Sequence, residues 1–221
     1  MDTSYINTIK PFSRKSSLVN LSLDKDLSTA KYYSISRLEE LLQFSYIPCL
    51  VFENWETEKR IKMLCKHAQK KNLILPNDLW LGKLHHKEII LGHIPPISIG
   101  WHDSGIGYGV FAKEDLPAWS FLGEYSGILR TQHKLFGLQN DYCFRYPLSR
   151  SIFSYFSLDS GHFGSFTRFI NHSDHPNAEA LSVFCNNIYH VIIRATEPIK
   201  KGTEITYNYG PFYWRNREKR F

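Results

Sequence analysis

Three short segments carry residue types and spacings that suit chemistry. Ser104 to Ala112 reads S-G-I-G-Y-G-V-F-A. Its glycines, Gly107 and Gly109 among them, let a backbone turn and come close to a ligand. Arg168 to Asn177 reads R-F-I-N-H-S-D-H-P-N, in which Asn171 and His172 follow an apolar run and offer hydrogen-bonding groups from side chain and backbone. Gly202 to Gly210 reads G-T-E-I-T-Y-N-Y-G, and alternation sets Tyr207 and Tyr209 on one side of an extended segment. Each has a plainer reading by itself: a glycine-rich hairpin, a loop with turn-forming Asn and Pro, an edge strand with two packed tyrosines. The first is not a dinucleotide fingerprint, because no strong strand precedes it and no helical pattern follows.

Other chemistries find little support. His172 and His175 stand three apart in a proline-containing loop with no further ligands nearby, so no metal site is expected. Cys49, Cys65, Cys143 and Cys185 are widely spaced and no pair has C-x-x-C spacing. That argues against a cysteine zinc site and a disulfide framework, and for a reducing compartment. Nor is there a convincing Ser/His/Asp or Cys/His arrangement.

The elements that must position these segments fall into two textures. Residues 1–30 are rich in Ser, Thr, Lys and Asn and are expected to be loosely ordered. Residues 31–90 read as a helical extension. Ser36 to Glu39 has the form of a capping box, with Leu38, Leu41 and Leu42 as an apolar stripe and Pro48 just beyond. A second helix is predicted from about Asn54 to Lys71. Ile61, Leu64, Cys65 and Ala68 form its apolar face, and Lys59, Lys62, Lys66 and Lys70 a basic one. Over residues 91–214 short strand-like runs alternate with Gly, Pro, Asn and Asp punctuation. They are Ile97–Trp101, Tyr108–Ala112, Phe121–Tyr125, Tyr142–Tyr146, Tyr155–Leu158, Ala180–Cys185, Tyr189–Arg194 and Glu204–Tyr207, with one helical turn at Ser165–Ile170. Residues 215–221 form a basic tail behind the aromatic run Phe212, Tyr213, Trp214. The whole reads as mainly β. Its 221 residues, 43% of them hydrophobic and 15% aromatic, suffice for a real core. The net charge of +6 permits contact with nucleic acid or chromatin without demanding it. No apolar run approaches the ~20 residues of a membrane span, and the polar start shows no secretory leader, so no membrane contact is expected.

Taken in this order, the three segments resemble the SET-domain protein lysine methyltransferases. That family has a G-x-G segment, an R-F-I-N-H-S-x-x-P-N segment and an E-[LI]-T-[FY]-x-Y segment. Here they are Gly107-Tyr108-Gly109, Arg168 to Asn177 and Glu204 to Tyr209. Gly123 to Gly127 is similar to the family's E-Y-x-G strand, Tyr142-Cys143-Phe144 to its Y-x-F, and Leu158-Asp159-Ser160 to its I-D-A. The chain departs from the pattern in three ways. Asp174 stands where the family has cysteine, and Asn208 where Asp is more usual. The cysteine-rich zinc segments that flank many eukaryotic members are missing, so Phe212, Tyr213 and Trp214 are expected to supply that wall of the site. The small zinc-free form resembles bacterial SET proteins of intracellular pathogens.

The resemblance implies small β-sheets around a knot-like C-terminal segment, S-adenosylmethionine as methyl donor, and a lysine-containing protein substrate, a host histone or a bacterial histone-like protein. It implies Tyr209 as the catalytic tyrosine, with Tyr125 and Tyr207 lining the lysine channel. Gly107, Tyr108, Gly109, Tyr142, Arg168, Asn171 and His172 are placed around the cofactor, and Tyr213 or Trp214 against its adenine. The implied location is the cytoplasm of a bacterium, or a host cell and its nucleus after export without a cleaved signal. Such substrates are basic, and so is this chain. Any groove must therefore be locally acidic, and Asp141, Asp159, Asp174, Glu179 and Glu204 lie near the motifs. The competing reading is a non-catalytic module that binds chromatin or nucleic acid through the basic helix face and tail.

Overall fold

Alternating apolar residues become strands wherever punctuation frees both ends. The computed structural model describes residues 18–131, 140–147, 156–215 and 217. Its first half runs β1 (Leu18–Ser22), β2 (Lys31–Ser34), α1 (Ile35–Leu42), β3 (Ser45–Tyr46), β4 (Val51–Phe52), α2 (Trp55–Lys70), α3 (Pro76–Leu84) and α4 (His86–Leu91). Then follow β5 (Ile97–Asp103), β6 (Gly107–Ala112), β7 (Phe121–Glu124), β8 (Ile128–Thr131), β9 (Cys143–Arg145), β10 (Phe156–Asp159) and β11 (Phe163–Gly164). The chain continues through β12 (Asn171–His172), β13 (Ala178–Cys185), β14 (Ile188–Ala195), β15 (Glu204–Tyr207) and α5 (Pro211–Trp214). No helix among the described residues is long and apolar enough to cross a membrane.

The strands β2, β1, β5, β6, β15, β13, β14 and β7 lie side by side in that order, with β12 added to β15. A second sheet runs β4, β8, β10, β9, and β11 pairs with β3. The strand β15 is threaded into the large sheet. Its Glu204 and Ile205 pair antiparallel with Phe111 and Val110. Further along, Thr206 and Tyr207 pair parallel with Asn171 and His172, and Tyr207 with Ala178. This is the mainly β fold with a threaded C-terminal segment that the resemblance implied, with helices toward the N-terminus.

Asn54 caps α2 by accepting from the Thr57 amide, and Ile61, Cys65 and Ala68 are buried, as their spacing predicted. They share a core with Tyr125, Tyr146, Leu158 and Val191. Full burial of Ile61 stabilises by roughly 1.5–3 kcal/mol, so α2 is bound firmly to the strand domain. Three expectations are corrected. Leu18–Ser22, expected to be loosely ordered, is a strand that pairs with β2 and with β5, because Val19 and Leu21 find a place in the core. The cap of α1 is Ser34 and not Ser36; Ser34 accepts from the Arg37 amide, while Glu39 accepts from the Tyr46 amide instead of closing a capping box. The extension is also not wholly helical, since β2, β3 and β4 run through it. The expected start at Tyr155, the first 17 residues and the tail residues Lys219 and Arg220 lie outside the described residues.

Candidate active site

The site is built where β15 meets the segment before β12. Ser165 opens a helical turn over Phe166–Phe169, accepting from the Thr167 amide, and the chain leaves it at Ile170. The Tyr209 hydroxyl donates to the Ile170 carbonyl at 2.7 Å. The Tyr209 amide donates to His172 Nδ1 at 3.0 Å. A neutral His172 therefore carries its proton on Nε2, which lies 3.3 Å from Asp174 Oδ1. The two family segments are thus tied by backbone pairing, by a tyrosine hydroxyl and by an imidazole. Asn177 adds a staple: its amide donates to the Glu204 carbonyl at 2.8 Å and its Oδ1 accepts from the Thr206 amide at 3.0 Å.

Aromatic rings close around Tyr209. Its ring centroid is 4.8 Å from Tyr207, 4.7 Å from Tyr213 and 5.4 Å from His172. Trp214 stacks parallel to it at 6.1 Å and packs on His172 at 4.9 Å. Burial pushes the Tyr209 and Tyr207 phenols well above their ordinary range, and the neighbouring phenols of Tyr125 and Tyr213 add to this. Tyr125, raised by burial too, donates from its hydroxyl to the Tyr142 carbonyl at 2.9 Å. All three tyrosines therefore stay neutral hydrogen-bonding groups at neutral pH. The expected C-terminal wall is present in Tyr213 and Trp214. It is fastened by Arg217, whose guanidinium lies 4.5 Å over the Tyr213 ring, donates to the Tyr213 carbonyl and pairs with Asp141 at 2.9 Å.

The glycine segment faces the same place. Gly107 has φ +86, a conformation that favours glycine, and the space where a Cβ would stand is open. A Cβ on Gly109 would lie 2.6 Å from Glu204 Oε1. Its bareness lets that carboxylate reach Asn171, whose amide donates to Glu204 Oε1 at 2.9 Å and to the Tyr108 carbonyl at 3.2 Å. Both amide protons being engaged, the orientation of Asn171 is fixed. His102 lies 3.0 Å from the same Glu204 oxygen. Arg168 is buried; its Nε and Nη2 donate to the Ser160 and Gly161 carbonyls at 2.8 Å, and its guanidinium stacks 4.0 Å from the Tyr142 ring. It holds Tyr142 and the loop after β10 in place.

The structure therefore gathers Tyr207, Tyr209, His172, Tyr213 and Trp214 into one aromatic cluster. Asn171, Tyr108 and Gly109 meet beside Glu204, and Tyr125, Tyr142 and Arg168 meet at β9 and β10. Sequence reasoning missed the positioning roles of Glu204, Asn177 and Arg217. Glu204 and Asn177 lie inside the quoted motifs. Arg217 gave no signal beyond its charge, because its partner Asp141 is 76 residues away. Of the acids near the motifs, Asp159 is committed to Arg130 and Glu179 to Arg194; Asp141 and Asp174 are the ones whose side chains stay more than half exposed. Among the described residues no group of three or more His, Cys, Asp or Glu side chains is arranged to hold a metal ion.

Residues 107–210 match the family model of the SET domain, a span that contains Gly107-Tyr108-Gly109, Arg168 to Asn177, Glu204 to Tyr209 and every residue of the Tyr209 junction except the C-terminal wall. Over this span, just under half of the chain, the protein has the SET-domain fold. Among curated relatives, it is 25% identical over 228 residues to the variant-silencing SET domain-containing protein of Plasmodium falciparum (isolate 3D7), covering 87% of this chain and 8% of that one. It is 32% identical over 112 residues to the histone-lysine N-methyltransferase set-2 of Caenorhabditis elegans, covering 47% of this chain and 7% of that one. The chain thus spans less than a tenth of either relative. Among solved structures it is similar to KRYPTONITE, crystallised with mCHH DNA, an H3(1-15) peptide and SAH, at 30% identity and a TM-score of 0.44 over 52% of this chain and 23% of that one.

Proposed function

We propose that the chain is a protein-lysine N-methyltransferase that uses S-adenosylmethionine and acts on a lysine of a histone or histone-like protein. The observation that carries this is the Tyr209 junction: a buried phenol, neutral and held by the Ile170 carbonyl at 2.7 Å, walled by Tyr207, Tyr213 and Trp214 and reached by the Asn171–His172 segment. The residues present fit the donor. The open cradle at Gly107, the fixed Asn171 amide and the Trp214 ring offer backbone approach, hydrogen bonding and an aromatic face. The histone specificity is supported by the named activity of the set-2 relative.

When bound, S-adenosylmethionine supplies an electrophilic methyl on a sulfonium. The chain's own residues prepare the nucleophile. A free lysine titrates near ~10.4, so its ammonium must first lose a proton to water. A channel of Tyr125 and Tyr207 rings removes the amine from water and lowers that pKa. The Tyr209 oxygen, its proton engaged by Ile170, retains lone pairs that accept from the amine and aim it. With the donor held by Gly107, Asn171 and Trp214, the residues of the Tyr209 junction would present the neutral amine to its methyl group. The test is calorimetric titration of chelator-treated protein with S-adenosylmethionine, followed by radiolabel transfer to a histone or histone-like protein. Binding and transfer are expected; a folded sample that binds no donor overturns the reading.

A further inference from the structure

We infer that the outward face of α2 is a sequence-independent binding surface for duplex DNA. From Lys59 to Asn77 the chain has no acidic residue and carries Lys59, Arg60, Lys62, Lys66, Lys70 and Lys71. These six positive charges equal the net +6 of the whole chain. The buried side of α2 is Thr57, Ile61, Cys65 and Ala68. Helical spacing therefore places Lys59, Lys62, Lys66 and Lys70 along the opposite side, and all four are exposed.

Geometry and charge select the occupant. At 1.5 Å per residue the four ammonium groups span about 16 Å. Over that length a duplex presents about ten phosphates, one per ~1.7 Å of axis. The acids of α2 sit at its N-terminal end, where Glu58 pairs with Lys62 at 2.5 Å and Glu56 favours the helix terminus. The remainder of the face meets an anion without competition. The inner side of α2 is packed on β4, β8 and β14, and the row it presents outward is of lysines, point charges suited to phosphates. It touches phosphates only, which gives affinity without sequence preference. The four-lysine row, set along one line, matches the dense and regular phosphate spacing of a duplex, which favours it over a single strand. None of β4, β8 and β14 carries a residue of the Tyr209 junction, so DNA on α2 and a peptide at the site are compatible. The inference does not rest on the methyltransferase reading.

The test is fluorescence anisotropy of the full chain with a short labelled duplex, in two unrelated sequences, at rising salt. Wild type should bind both sequences alike. The four lysines alone should weaken binding about 10²-fold between 50 and 200 mM salt. A variant with Lys59→Ala, Lys62→Ala, Lys66→Ala and Lys70→Ala should lose about 3–4 units of the log–log salt slope. Lys200→Ala, at an exposed pair with Asp115 elsewhere, should leave the slope unchanged. An unchanged slope in the quadruple variant overturns the inference. So does lysine-dependent capture of an acidic polypeptide with no binding of the duplex, which would make the face a protein-docking surface. Circular dichroism confirms that the variant is folded, as expected for exposed lysines.

Discussion

Removing one oxygen from Tyr209 separates its chemical role from its structural one. In Tyr209→Phe the ring stays, and with it the packing on Tyr207, Tyr213, Trp214 and His172. What goes is the hydroxyl that donates to the Ile170 carbonyl. Ile170 is buried, so its carbonyl loses a partner at a cost of about 1–3 kcal/mol. Against a domain stability of roughly 5–15 kcal/mol the protein remains folded, with a melting temperature lower by about 2–12 °C. The effect on turnover is larger. An aligned hydroxyl in a desolvated pore contributes about 2–4 kcal/mol to the transition state, so the rate should fall about 10²–10³-fold. Single-turnover transfer of labelled methyl measures the chemical step, calorimetry the donor affinity, and scanning calorimetry the stability. The expected pattern is a collapsed rate, near-normal donor affinity and a modest thermal shift. A lowered melting temperature with a wild-type rate would refute the assignment and leave Tyr209 as a structural strut.

Other measurements probe the surroundings. Tyr207→Phe should shift product from monomethyl- toward di- and trimethyl-lysine with little loss of the first transfer, because in the proposed reaction the hydroxyl would hold a water, worth up to ~2 kcal/mol, where a second methyl would stand; a mass-spectrometric time course in which wild type runs straight to trimethyl-lysine contradicts this. Arg217→Ala removes the fastening of the C-terminal wall, and hydrogen exchange at the Tyr213 amide, which donates to the Gly210 carbonyl, should accelerate; the Asp141→Arg, Arg217→Asp swap should recover up to about five-fold of the change, and no recovery removes the ion pair from the account. Burial raises the phenols of Tyr46, Tyr125, Tyr146, Tyr207 and Tyr209. Below pH ~10 both folded and unfolded chains keep these protons and the phenols add no pH dependence; above it the unfolded chain loses them first, so stability should fall by up to ~1.4 kcal/mol per pH unit for each phenol. Denaturant melts at rising pH check this, and a stability that stays flat well above pH 10 overturns it.

How much of this was legible in the residues depends on how local each signal is. The helix α2 was readable at both ends because Asn54 caps it and Ile61, Cys65 and Ala68 repeat with its turn. The helices α3 and α4 were not, because Leu75, Leu79, Trp80, Leu84, Ile90 and Leu91 are exposed while Leu81 and Ile89 are buried. An apolar residue on every side leaves no periodicity to detect. Most strands of the large sheet announced themselves by alternation, but β1, β2 and β12 did not. The strand β1 depends on β5 and β12 on β15, partners far along the chain, and β2 in turn pairs with β1.

The site shows the same division more sharply. Its residue types stood in the three segments, while the bonds that orient them, Tyr209 to Ile170, Asn171 to Glu204 and Arg217 to Asp141, exist only in the folded chain. The departures from the family pattern make sense only at that level. Asn208 Oδ1 accepts from the Gly210 amide at 2.8 Å, fixing the turn that carries the chain from Tyr209 into α5. A carboxylate oxygen or an amide oxygen does this equally well, since the bond needs only an acceptor. Asp174, where the family has cysteine, keeps a side-chain oxygen 3.3 Å from His172 Nε2. That acceptor steadies the imidazole under Trp214. In this chain the C-terminal wall is thus fastened by aromatic packing and by a charged hydrogen bond, with Trp214 on Tyr209 and His172 and Arg217 on Asp141.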